Sequence, residues 1–169
     1  VTTMHPCEPV ELDFLDTAPG RFSNSVDLAI TPEQAFDVLA EAEPWPRWAT
    51  VITNVTWTSP RPHGIGTTRT VDMRGGIVGE ERFLAWEPGK HMAFRFEACS
   101  TAALEAFLED YRIEPTPDGC RLTWTLANRL RGPAKLFSFA SAPIMNFMFK
   151  RFLANLRRYT DTRFATAAH

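Results

Sequence analysis

Five polar side chains stand where strand alternation would turn them toward the interior of a fold: Asp72, Glu81, Glu109, Tyr111 and Asn128. Glu109 and Tyr111 are two positions apart, so both project from the same face of an extended strand. A carboxyl group beside a phenol can take up and return a proton. A carboxylate on an apolar face without a partner is destabilising or has its pKa pushed up. Such a group sits in a wet cavity, pairs with a cation, or does chemistry. Glu109 is the sharpest candidate. Ligand contact or acid/base work suits it, and so does a strand-end carboxylate that reaches solvent or bonds Asn128 or Tyr111. Asp72 and Glu81 carry the same alternatives.

Other chemistries find less support. His63, in the loop Ser59-Pro60-Arg61-Pro62-His63-Gly64, could close over a cavity, and His91 follows a turn, but no partner spacing marks a metal site or a triad, and both read as surface residues. Cys7, Cys99 and Cys120 are odd in number, far apart and without a CxxC pair, so neither a disulfide framework nor zinc is indicated and a reducing cytoplasm is the expected compartment. Gly64-Ile65-Gly66 and Gly75-Gly76 lack the residues that complete a phosphate-binding loop. No metal and no cofactor are expected.

The elements that position these groups come from one chain of 169 residues, enough for one domain. With 18 Lys+Arg against 20 Asp+Glu there is no global positive field, so nucleic acid is a poor default partner. Thirteen Phe and 5 Trp against 2 Tyr give an interior with little hydroxyl to satisfy. Residues 1–21 read as a loose arm without a signal peptide's pattern. The apolar stretch 136–149 is interrupted by Ser138, Ser141, Pro143 and Asn146 and is too short to span a bilayer, so no transmembrane segment is expected.

The domain is expected over 22–164, with a tail at 165–169. Alternation predicts a strand over 22–30. Thr31-Pro32-Glu33-Gln34 then supplies a capping box with proline at the first helical position, predicting a helix to about residue 43. A second short helix starts near Pro46 and sets Trp48 against the domain. Period two then predicts strands near 51–58, 67–73, 77–87, 91–98, 104–114 and 120–129, an antiparallel meander joined by glycine-bearing turns. After an interruption at Pro143, a long amphipathic helix runs over 144–164. A seven-stranded sheet must then curl around that helix, the only element large enough to cover it.

Hairpin parity sorts the faces. A two-residue loop at Asp118-Gly119 places Phe107, Glu109, Tyr111, Ile113, Leu122, Trp124, Leu126 and Asn128 inside, with Glu109 opposite Asn128. A loop at Gly89-Lys90 sets Arg82 opposite Glu97 outside and Glu81, Phe83, Ala85, Met92, Phe94 and Phe96 inside. The turn at Gly75-Gly76 puts Thr68, Thr70 and Asp72 on the Glu81 side, an assignment that a three-residue loop would reverse. The outer face is the charged one. Trp45 and Trp48 suit packing or a pocket wall, and the Met145, Met148, Phe149 and Phe152 stripe suits a core that also touches a ligand.

The strand-helix-helix-six-strand-helix order, with "SVDLAITPEQAFDVL", "PWPRWATVITNV" and "FLAWEPGKHMAFRF", resembles the START-like (SRPBCC) superfamily and its polyketide cyclase/dehydrase family, over about residues 22–162. The resemblance implies an α+β helix-grip fold. It also implies binding of a hydrophobic small molecule, whether lipid, polyketide, isoprenoid or aromatic metabolite, in an internal cavity. An alternative is a cyclase or dehydratase in which Glu109 and Tyr111 are catalytic. Another is a protein-interaction module, since some relatives are co-chaperones or ribosome-associated toxins. Asp72, Glu81, Asn128 and the aromatic and methionine residues above are the expected ligand contacts, in a monomer or weak homodimer.

Overall fold

The computed structural model describes residues 1–165, apart from the side chains at positions 138 and 139. The expected tail lies, from residue 166 on, outside the described residues. The elements are β1 (His5–Pro6), α1 (Phe14–Thr17), β2 (Gly20–Leu28), α2 (Pro32–Ala40), α3 (Trp45–Trp48), β3 (Ile52–Trp57), β4 (Thr68–Met73), β5 (Ile77–Glu87), β6 (His91–Cys99), β7 (Leu104–Thr116), β8 (Gly119–Leu130) and α4 (Ala134–Arg163). Seven strands form an antiparallel sheet in the order β2-β8-β7-β6-β5-β4-β3. Its concave face is covered by α4, which packs on β2 and β8, and by the α2–α3 crossing.

Local chemistry explains several boundaries. Thr31 accepts a hydrogen bond from the Gln34 amide while the Gln34 side chain accepts one from the Thr31 amide, the capping box read from the sequence. The loop between β4 and β5 is Arg74-Gly75-Gly76, with Gly75 and Gly76 at φ 82° and 77°, a region glycine enters without a Cβ penalty. Because this loop has three residues, Arg69, Val71 and Met73, not Thr68, Thr70 and Asp72, face the inside. Between β7 and β8 the loop is Pro117-Asp118, so Glu109 lies opposite Leu126 and Phe107 opposite Asn128. That register is two residues from the expected one, which leaves the inner face unchanged.

Residues 1–21 are not a loose arm. β6 and β7 pair only from His91 to Arg95, and where they part, β1 enters: the Cys7 amide donates to Glu97 O at 2.9 Å and the Glu8 amide to Glu105 O at 2.8 Å. The segment supplies partners to backbone groups that the diverging strands would leave unpaired. It then crosses the outer face, where Val10 and Phe14 bury Ala106, Leu108 and Ala127 in a second small core. Arg95 donates to Val10 O and Glu11, and Arg129 to Glu8. The outer face is therefore partly apolar as well as charged. His91 is also buried there, with Nε2 2.5 Å from Asp110 Oδ1, contrary to its reading as a surface residue.

Helix α4 runs unbroken through Pro143, against the expected interruption. Proline removes one amide donor and crowds only the turn before it. More than two turns on each side propagate the helix past that local loss.

Candidate functional site

Between the concave face and α4 lies a cavity of about 280 Å³. Its walls follow from the two periodicities. Phe107, Glu109 and Tyr111 alternate inward along β7, Trp124 and Leu126 along β8, Glu81 and Phe96 face in from β5 and β6, and Met145, Met148, Phe149 and Phe152 recur at three- and four-residue spacing on α4. Trp45 of α3 lines it as well. Ala49, Val51, Ile52, Val71 and Met73 complete the lining.

Glu109 carries the polar chemistry of this wall. Its Oε2 accepts a hydrogen bond from the Tyr111 hydroxyl at 2.5 Å and from the Trp124 indole at 3.1 Å. Tyr111 and Trp124 lie opposite each other across the β7–β8 ladder with rings stacked at 5.7 Å. Burial pushes the Glu109 carboxyl up to about 7, and the nearby Glu81 adds to the rise; the two donors and the Arg69 charge hold it back. Burial likewise drives the Tyr111 phenol well above its ordinary value, so it stays a donor. A carboxyl group poised near neutrality on an apolar wall can hydrogen-bond a ligand as acid or as carboxylate, and can exchange a proton with it.

Glu81 sits directly opposite Arg69 in the β4–β5 ladder, and the two form a buried ion pair through Arg69 Nε and Glu81 Oε2. Burial pushes the Glu81 carboxyl up while Arg69 opposes that rise. The Arg69 guanidinium is 2% exposed and lies 4.6 Å from the Trp45 ring, 4.9 Å from Phe83 and 4.7 Å from Phe94. Its Nη1 has no hydrogen-bond partner among the described residues, so the ring faces supply part of its stabilisation.

Other expected contacts fall elsewhere. Trp48 is fully buried behind Trp45, with ring centroids 4.9 Å apart, and does not line the cavity. Phe83 and Phe94 enclose Arg69 instead of the cavity. Asp72 faces the other side of the sheet, where Asn54 donates to it at 3.4 Å; the three-residue loop accounts for the reversal. The Asn128 side chain lies over Gly20, whose missing Cβ leaves it room. Arg82 and Glu97 do pair on the outer face, diagonally rather than directly opposite. His63 stacks on Trp57 at 4.0 Å outside the cavity. Sequence reasoning missed Arg69 behind the wall and Ala49, Val51, Ile52, Val71 and Met73 on it, although the shared parity of Arg69 with apolar Val71 and Met73 was a usable signal.

The raised Glu109 carboxyl has a consequence for stability. Between the ordinary carboxylate value and about 7, the folded protein binds a proton that the unfolded chain has released, so stability falls as pH rises through that window. Glu109→Gln cannot ionise, so its unfolding free energy, measured by urea titration from pH 5 to 8, is expected to be flatter and to exceed the wild type's most at pH 8. A parallel pH profile for the two proteins would show that Glu109 does not titrate in this window.

A family model described as "Polyketide cyclase / dehydrase and lipid transport" matches residues 19–161. Uncharacterised proteins of Mycobacterium tuberculosis and Mycobacterium bovis are 63% identical to the chain over 164 residues, covering 97% of it and 98% of each relative. Among solved structures, a START superfamily protein from Mycobacterium smegmatis superposes with TM-score 0.63 at 14% identity, covering 85% of this chain and 96% of that one. The di-domain ARO/CYC StfQ from the steffimycin biosynthetic pathway gives TM-score 0.70 at 13% identity over 90% of this chain and 54% of that one. These likenesses show the fold, a curled antiparallel sheet gripping a C-terminal helix. No helix among the described residues is long and apolar enough to cross a membrane.

Proposed function

The chain belongs to the polyketide cyclase/dehydrase and lipid transport family, and from that premise we propose that it binds a compact apolar molecule carrying one polar group, held in the α4 cavity with that group at Glu109. The observation that carries the reading is a cavity walled by Phe, Trp and Met with two carboxyls on its lining: Glu81 is paired with Arg69, which leaves Glu109, held by two neutral donors, as the group to meet a ligand. Apolar walls with a few placed polar atoms are the usual make-up of a small-molecule site. At about 280 Å³ the space is at the small end of such pockets, which favours a ring system or short isoprenoid over a two-chain lipid.

An apolar fluorophore is expected to bind the folded monomer saturably and to quench Trp124, which lines the cavity. Replacing Met148 by Trp, which fills the space, should weaken binding by about tenfold or more, the equivalent of roughly 1.4 kcal/mol. Trp124→Phe should remove most of the quenching signal. Non-saturable binding, or binding that appears only on unfolding, would refute an enclosed site.

The near-neutral Glu109 also favours a second reading, proton transfer in a cyclisation or dehydration, with the Tyr111 hydroxyl holding the carboxyl in place. If so, Glu109→Gln should lower turnover by about 10²-fold with ligand affinity nearly unchanged. If Glu109 only anchors the ligand, affinity should fall instead.

A further inference from the structure

We propose that the outward side of the first half of α4 is a docking surface for an anionic lipid bilayer. Leu136, Phe137, Ile144 and Phe147 are 80%, 71%, 64% and 66% exposed. At about 100° of rotation per residue they fall within an arc of roughly 100° on the helix. Met145, Met148 and Phe149, on other sides of the same turns, line the cavity. Single exposed apolar residues are ordinary, but four large ones side by side mark a contact surface.

Charge selects the occupant. Between Asp118 and Asp161 the chain has eight Lys or Arg and no Asp or Glu, although its formal net charge is −2. Arg121 and Arg129 are paired with Asp27 and Glu8. Lys150 and Arg151 are exposed at the end of the apolar arc, and Arg131 meets a neutral carbonyl, Pro6 O. Apolar side chains flanked by cations are the composition of a helix that lies in a membrane interface, with its apolar side among the acyl chains and its cations at anionic headgroups. The acidic remainder of the protein would be repelled, which orients the α4 side toward the lipid. A second copy suits the patch poorly, because a two-fold contact would set this cationic segment against itself. This docking stands apart from the ligand reading and would place one wall of the cavity at the bilayer.

The test is co-sedimentation with vesicles of phosphatidylcholine alone or mixed with phosphatidylglycerol, alongside the oligomeric state by light scattering. Binding to the mixed vesicles is expected, weaker by about tenfold or more on phosphatidylcholine alone and reduced by salt. The double variant Phe137→Ser/Phe147→Ser should lose most of that binding while keeping its thermal midpoint, and Lys150→Glu/Arg151→Glu should do the same. Failure to bind phosphatidylglycerol vesicles would overturn the proposal. So would binding that the serine variant leaves unchanged, or a concentration-dependent dimer that Phe147→Ser dissolves without any vesicle binding. Fluorophore binding by the serine variant checks separately that its cavity is intact.

Discussion

A chain ending at Pro143 is expected to lose cooperative unfolding and to aggregate. The part of α4 thereby removed contributes Phe149, Phe152, Leu153 and Leu156 to the main core, each no more than 6% exposed. Burying one such side chain stabilises by about 1.5–3 kcal/mol, against a typical whole-domain stability of about 5–15 kcal/mol. Their loss together is comparable with the entire margin. It also bares the concave faces of β2 and β8, which α4 covers. Circular dichroism melts and size-exclusion chromatography of the truncated chain check this. A truncated protein that stays monomeric and melts in one sharp transition would contradict the role of α4 as the cover of the sheet.

Arg69→Met is expected to destabilise the protein by about 3–5 kcal/mol, because it leaves Glu81 as a buried carboxylate without its cation. Glu81 is 4% exposed, and Arg69 is the cation it bonds. Replacing both residues, as Arg69→Met/Glu81→Leu, should recover most of that loss, since apolar groups of similar volume do not carry the desolvation cost of the pair. Urea unfolding of the two single variants and the double variant gives the coupling. A single variant within about 1 kcal/mol of wild type would mean that Glu81 has another route to neutrality. Removing the Arg69 charge should also move the Glu109 titration further up, because that charge is one of the influences holding it down.

The contrast between Glu109 and Asp72 shows how far the residues could be read in order. Glu109 lies on a long hairpin arm whose aromatic alternation marks the inner face, so a register two residues from the expected one still left it inside. Asp72 depended on one turn, and a single extra residue in the Arg74-Gly75-Gly76 loop sent it outward and brought Arg69 in. The side chains of α4 were legible as an apolar stripe, but the stripe is wider than one contact. Which part faces the cavity and which remains exposed is set by how the helix seats on β2 and β8.

The order of the elements, the capped α2, the inward alternation of β5 to β8 and the placement of Glu109 beside Tyr111 were legible in the residues, because these depend on periods of two and 3.6 residues and on local capping. Three features arise only when distant segments meet. The first residues became a strand because β6 and β7 diverge and leave backbone groups to be paired. Arg69 met Glu81 because a three-residue loop set the β4–β5 register. Glu109 acquired a carboxyl pushed up to about 7 because elements distant in sequence bring it onto an apolar wall where burial desolvates its charge.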